Sequence, residues 1–255
     1  MRENVKKIER WSQFVEIASG KRYKQFIFRG HSKREHELKS SVQRAFERLN
    51  VRTDWKKGRE ASILKSFRSR AHLYLHHQPE KTKTLEWLSV MQHYGAPTRL
   101  LDWTYSPFVA AFFALEGLNG GCTVFEIDLQ RLAHENETIG ISVDGRLMKR
   151  IFTQDFEQNF VFPFEPEYQN ERLILQQGLF LVPSTIEESI ESILAAYKNY
   201  HLFCKRYVFE MSDAKLRGAI KNLKAMNIDN FRLFPGIDGL SRAMYLQLLE
   251  PISSF

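Results

Sequence analysis

The run Phe108 to Gly117, FVAAFFALEG, most constrains what this chain can fold into. Ser106 and Pro107 precede it, the residue types of a helix N-cap and first helical position. The helix they open is apolar all round, so it must be buried on every side. It is too short to span a bilayer, and no other apolar run reaches the roughly 18 residues that a span needs. The rest of the chain must therefore wrap it. With 255 residues, 43% apolar and 26% charged, the chain has the length and composition to do so without disulfide staples. Cys122 and Cys204 are its only cysteines. They exclude a disulfide scaffold, read as buried apolar fillers, and point to a reducing, cytoplasmic setting. The start, MRENVKKIERW, is charged and lacks the apolar centre of a secretory signal. No membrane partner is expected.

The surrounding sequence reads as alternating elements. Residues 1–22 read as a polar helix ended at Gly20, with 1–19 as an N-terminal helix. Phe26-Ile27-Phe28 reads as a short strand stopping at Arg29-Gly30. Leu38 to Arg48 reads as a loop with a turn of helix. Lys56 to Gln78 has helical spacing through Ile63, Leu64, Phe67, Ala71, Tyr74 and Leu75, and Pro79 stops it. Thr84 to His93 reads as an amphipathic helix. Gly117 to Gly121 closes the apolar helix, and Cys122 to Asp128 alternates like a strand. Arg172 to Val182 reads as strand, Gly turn, strand. Ser184-Thr185 with Glu187-Glu188 resembles a capping box. Arg206 to Met211 reads as a strand, and Asp213–Met226 and Asp238–Leu248 as closing helices. No repeat or low-complexity linker divides the chain. The pattern predicts one α+β domain over residues 1–255, with a small mixed or antiparallel sheet and flanking helices.

Three segments carry more polar and Gly or Pro content than packing needs. In Phe28-Arg29-Gly30-His31, an arginine sits at a strand end beside a glycine that lets a ligand approach the backbone. Its planar fork matches phosphates and carboxylates. A surface arginine at a strand end explains the pattern equally well. The stretch from Gln92 to Thr104 puts His93, Tyr94, Thr98, Arg99, Asp102 and Trp103 between two apolar helices. Ionisable groups there are either paired, as Arg99 with Asp102, or used. Tyr94 or Trp103 is suited to stack a planar ring. The third segment runs from Asn170 to Phe180. Strand alternation would place Arg172 and Gln176 on one face, with Glu171 and Gln177 on the other. His72 and His76 share a helix face, but two histidines without a third ligand read as a surface pair, so no metal is expected. Lysines and arginines total 37 against 30 acids, a net charge of +7 that favours polyanions. Lys33, Arg34, Lys39, Arg44, Arg48 and Arg52 form a basic cluster near Arg29, either a solvated face or a phosphate contact.

These segments resemble the FRG family, named for its Phe-Arg-Gly. Phe28-Arg29-Gly30 stands in the matching place, and QHYGAPTRLLDWTYSPFVAAFFA (Gln92 to Ala114) is similar to its longest motif. Asn170-x-Arg172 with Gln176-Gln177-Gly178-x-Phe180 looks like its third block, and Lys215 to Leu240 like its tail. The resemblance covers roughly residues 20–245. More distantly, the order of a strand-end Arg-Gly, polar residues before an Ala/Phe-rich helix, and a late strand with Glu or Gln resembles mono-ADP-ribosyltransferases, though no Ser-Thr-Ser block is present. That likeness implies that Arg29 grips NAD, that Thr98 or Asp102 fills the middle region, and that Glu171, Gln176 or Gln177 is the late residue.

The resulting expectation is an NAD-dependent ADP-ribosyltransferase acting on a macromolecule, nucleic acid first. The family's company implies a toxin or anti-phage role, with an antitoxin or defence partner. Catalysis is expected from Asp102, Glu171 and Gln177. NAD contacts are expected from Arg29, Gly30, His93, Tyr94, Thr98, Arg99, Trp103, Arg172 and Gln176. Two rivals stand: a non-catalytic nucleic-acid or nucleotide-binding module, and a nuclease-type hydrolase using His93 and Asp102.

Overall fold

The computed structural model describes residues 4–32, 37–116 and 122–247. Seven strands among them form one mixed sheet. The elements begin with β1 (Val5–Ile8), α1 (Trp11–Ser19), β2 (Phe26–His31), α2 (Ser41–Arg48), α3 (Thr53–Ala71) and α4 (Thr84–His93). There follow β3 (Leu101–Thr104), α5 (Pro107–Leu115), β4 (Thr123–Asp128), α6 (Leu129–Thr138), α7 (Leu147–Arg150) and β5 (Val161–Phe164). Next come α8 (Glu171–Leu175), β6 (Gly178–Pro183), α9 (Ile190–Ala196), α10 (Tyr200–Phe203) and β7 (Cys204–Phe209). The helices α11 (Asp213–Ala225), α12 (Asn230–Leu233) and α13 (Ile237–Gln247) end the described chain.

The strand order is β1-β7-β4-β2-β3-β6-β5. Only the β1–β7 edge is parallel, and the other pairs are antiparallel. Strand alternation divides the core between the two faces. Ile27, Phe125 and Ile127 belong to one apolar cluster, with Leu88 and Met91 of α4 and Leu194 of α9. Phe28 and Val124 belong to the other, with α1, α5 and α11. The α+β class is as the sequence predicts, and helices cover both faces of the sheet.

The apolar helix α5 lies where its composition demands, with Val109 to Phe112 and Ala114 to Leu115 buried. Ser106 caps it by accepting from the Val109 amide, with Pro107 beside it. Its backbone lies against β2 at Gly30. A Cβ built there would stand 1.9 Å from the Ala110 carbonyl oxygen and 2.6 Å from the Ala114 nitrogen. The glycine thus admits a helix to the strand, a packing demand additional to the ligand approach inferred from sequence.

Several readings are corrected. Within the N-terminal helix read over 1–19, the described residues form strand β1 followed by α1, and β1 is held by pairing with the distant β7. The stretch between α4 and α5 contains a strand, β3. The strand read at Arg172 is helix α8, whose N-cap Asn170 accepts from the Leu173 amide. The third segment's turn is made by Gln177, at φ +47. The helix read to Gln78 ends at Ala71, and Leu73 and Tyr74 beyond it are exposed. The cap expected at Ser184-Thr185 is Ser189, which accepts from the Ser192 amide. The readings at residues 1–3, Gly117 to Gly121, Lys33, Arg34 and Leu248 lie outside the described residues. Both cysteines are buried, and burial pushes the Cys122 thiol up to about 11 and Cys204 to about 12.

Candidate functional site

The site begins with a parting of two strands. β2 and β3 pair at one position, Phe28 with Thr104. Beyond it β2 runs on beside β4 as far as His31, while β3 stays with β6 back to Leu101. Arg29 and Asp102 stand where they separate. Arg29 bridges the gap, its Nη1 donating to the Asp102 backbone carbonyl and its Nε to His31 Nε2 at 3.0 Å. A cleft of about 650 Å³ opens here, floored by β2 and β3 and flanked by α2, α5 and α8. A smaller lobe of about 170 Å³ adjoins it toward α4. The two share Arg29, Arg44, Asp102, Arg172 and Gln176.

The charge in this cleft is uneven. Lys39 is neutralised by Glu37 and Glu47, each at 2.8 Å. Among the described residues, Arg29, Arg44 and Arg172 have no carboxylate within ion-pair distance. Arg44 donates to the Lys39 carbonyl, and Arg172 lies 4.8 Å from the Phe234 ring centroid. Glu37 and Glu47 also line the larger lobe, while Asp102 is the acid on the wall shared by both lobes. Burial lowers the Arg29 pKa to about 10, with Asp102 opposing the shift and Arg44 adding to it. The Arg172 pKa is also lowered by burial, again against the pull of Asp102. Burial is the main cause of both shifts, and a neighbouring arginine adds to each, Arg44 at Arg29 and Arg242 at Arg172.

Asp102 is held by a relay. The buried Thr98 hydroxyl donates to Gln92 Oε1, and Gln92 Nε2 donates to Asp102 Oδ1 at 3.0 Å. Thr98 is itself fixed, its amide donating to Ser41 Oγ at 2.9 Å and its carbonyl accepting from the Val42 amide at 3.0 Å. An acceptor on Gln92 fixes which end of its amide faces the carboxylate. Thr98 therefore acts on the cleft through Gln92 and lines neither lobe. Gln176 is tethered in a similar way, its Nε2 donating to the Leu233 carbonyl at 3.0 Å and its own carbonyl accepting from the Thr104 hydroxyl at 2.7 Å.

The site residues read from sequence separate into groups. Arg29, Asp102, Arg172 and Gln176 meet on the shared wall. Gly30 and Trp103 line the larger lobe, and His93 the smaller. Trp103 is 3% exposed and packed in the core, with its indole Nε1 lacking a partner. Tyr94 is 63% exposed and stands beside the smaller lobe, edge-on to His93 at 4.8 Å between centroids. Glu171 and Gln177 are exposed and line neither lobe. As α8 is a helix, its i, i+4 face still brings Arg172 and Gln176 together and turns Glu171 away.

Arg99 is in a different place altogether. It is 1% exposed, and its guanidinium pairs with Glu60 of α3 through Nε at 2.8 Å and through Nη2. Its Nη1 reaches the carbonyls of Ile151 and Pro183 at 3.3 Å, and its Cζ lies 4.4 Å from the Phe152 ring centroid. With these partners it is a core residue, and the pairing with Asp102 considered from sequence is absent. Of the residues outside the expected set, Gln92 and Arg44 join the cleft. Arg44 stood in the basic cluster, and Gln92 opened the long polar motif, but neither carries a signal by residue type alone. In that cluster, Lys39 pairs with Glu37 and Glu47, and Arg52 with Asp54 at 2.8 Å.

An FRG domain model matches residues 24–120. The chain carries an FRG domain. The matched segment supplies β2, α4, β3 and α5, and with them Arg29, His93 and Asp102. The opposite wall of the cleft, Arg172 and Gln176, comes from beyond it, so the FRG segment and the later α8 build the site jointly. Searches of curated proteins and of solved structures found no match.

Proposed function

We propose that the cleft binds NAD and that the protein transfers ADP-ribose from it to a macromolecular acceptor. The observation that carries this reading is the convergence of Arg29, Arg44 and Arg172, none ion-paired with a carboxylate among the described residues, on one cleft of about 650 Å³. That volume lies within the roughly 300–1,000 Å³ of small-molecule sites. Unmatched guanidiniums suit a diphosphate, which they neutralise and orient.

Breaking the nicotinamide–ribose bond builds positive charge on the ribose, and a fixed carboxylate favours that charge. Asp102, held by Gln92, is the carboxylate in position for this role. Glu171 and Gln177, the other candidates from sequence, face away from the cleft. The toxin or anti-phage setting rests on the family resemblance alone.

The outward position of Glu171 favours one second reading, a nucleotide-binding module without turnover. The two separate on incubation with NAD, following nicotinamide release and calorimetric binding together. The transferase reading expects release that falls at least about hundredfold in Asp102→Asn, the scale of a lost charge-stabilising group. Arg29→Ala should weaken NAD binding by about tenfold or more, the scale of a charged hydrogen bond. Binding without nicotinamide release from the folded wild-type protein overturns transfer and leaves the binding module.

A further inference from the structure

At about 170 Å³, the smaller lobe is below the usual small-molecule range. It has room for one ring or one side chain, and none for a nucleotide. Its walls offer uncharged hydrogen-bonding groups, Ser41, Ser89, Gln92 and Asn170, beside His93. The arginines of the shared wall border it too, against the single carboxylate of Asp102. A lysine or arginine entering here meets like charge. A neutral heterocycle does not, and phosphates flanking it would meet guanidiniums. Outside the lobe, the exposed Tyr94 ring presents a surface on which a neighbouring base can stack. Burial and the Arg172 charge lower the His93 pKa, so its imidazole is neutral at neutral pH and can accept a proton.

We propose that the smaller lobe receives the acceptor, and that the acceptor is a base of single-stranded nucleic acid. This rests on the transfer reading above. A single strand presents an unpaired base without the cost of opening a duplex. In the reaction, the bond between ribose C1′ and the nicotinamide nitrogen breaks, and its electron pair leaves with nicotinamide. A lone pair on a base nitrogen forms the new bond to C1′. The proton displaced from that nitrogen passes to the His93 imidazole.

The test is fluorescence anisotropy with short labelled single-stranded DNA and RNA, the matching duplexes, and a Glu-rich peptide, with NAD consumption by the wild-type protein read separately as nicotinamide release. Single strands should bind, and duplexes should bind at least about tenfold more weakly, since their bases stay stacked. Tyr94→Ala should lose about fivefold to hundredfold in strand affinity, the range for one base stacked on one ring, while Tyr94→Phe retains it. Tyr94 is exposed, so its loss does not threaten folding. Ser89→Leu, which fills the lobe, should weaken strand binding to a similar extent. Equal affinity for duplex, preference for the acidic peptide, or no effect of Tyr94→Ala overturns the base pocket even where NAD is consumed. Strand binding without any NAD consumption overturns the transfer reading instead, and with it the acceptor role.

Discussion

Arg99 and Arg29 flank the ends of neighbouring strands β3 and β2 but stand in opposite electrostatic settings. Arg99 is enclosed by a carboxylate, backbone carbonyls and an aromatic ring, and its charge is matched inside the core. Arg29 has a backbone carbonyl and an imidazole, with two further arginines across the cleft and one shared aspartate. The first arrangement is complete within the chain. The second, on the function proposed above, is completed by the phosphates of a bound ligand. Residue type alone conceals this difference, because both arginines stand beside strands in polar, Gly- or Pro-containing motifs.

The comparison is most severely tested at Glu60. Glu60→Ala leaves Arg99 buried without its anion, and should cost about 3–5 kcal/mol, the usual loss when one partner of a buried pair is removed. Arg29→Ala should cost less, about 1 kcal/mol, since it removes two hydrogen bonds at the strand parting but also a charge with no matching anion. Chemical denaturation of both variants checks the contrast, and similar losses at the two sites would erase it.

Gly30→Ala sharpens it further. The new Cβ meets the backbone of a buried helix, not a flexible side chain. A loss of about 1–3 kcal/mol is expected, as for other overpacked cores, and the same denaturation curves would measure it. Full stability would mean that α5 does not press on β2 as described.

The smallest effect concerns His93. Burial and Arg172 depress its folded pKa below the ordinary 6.5. As pH falls through 6.5, the unfolded chain takes up a proton before the folded one does, so this residue's contribution to stability declines toward acid. Following the imidazole by NMR, the midpoint should lie below 6.5 in the wild type and move upward in Arg172→Gln. A midpoint unmoved by that substitution would separate His93 from the arginine cluster.

The sequence made some of this legible and withheld the rest for physical reasons. Helices α4 and α5 were readable because their signals are local: an apolar period, a Ser cap and a Pro at the first position. The strand at Phe26 was readable for the same reason, and Arg29 with it. β1 was not, because a short edge strand alternating charged residues is held by a partner two hundred residues away. β3 was not, because four residues between helices give no period. Arg172 to Leu175 is a short apolar run that suits either strand or helix, and the cue against a strand was Asn170, a favoured N-cap followed by an acid in the first turn. The fate of Arg99 was invisible, since Glu60 lies on a helix whose neighbours are exposed and nothing local marks it as buried. The cleft itself was half legible. Its FRG wall follows from motif residues, but which face of α8 turns inward depended on its being a helix.

That two-part construction has a consequence in time. Arg29 and Arg172 are far apart in the chain, and the loop between them must close before their charges face one another. Contacts of such long sequence separation form late in folding. During synthesis at about 5–20 residues per second, the FRG segment emerges seconds before α8 does. A nascent chain that stops short of α8 therefore holds one wall of the cleft, and the two walls meet only once α8 has been made.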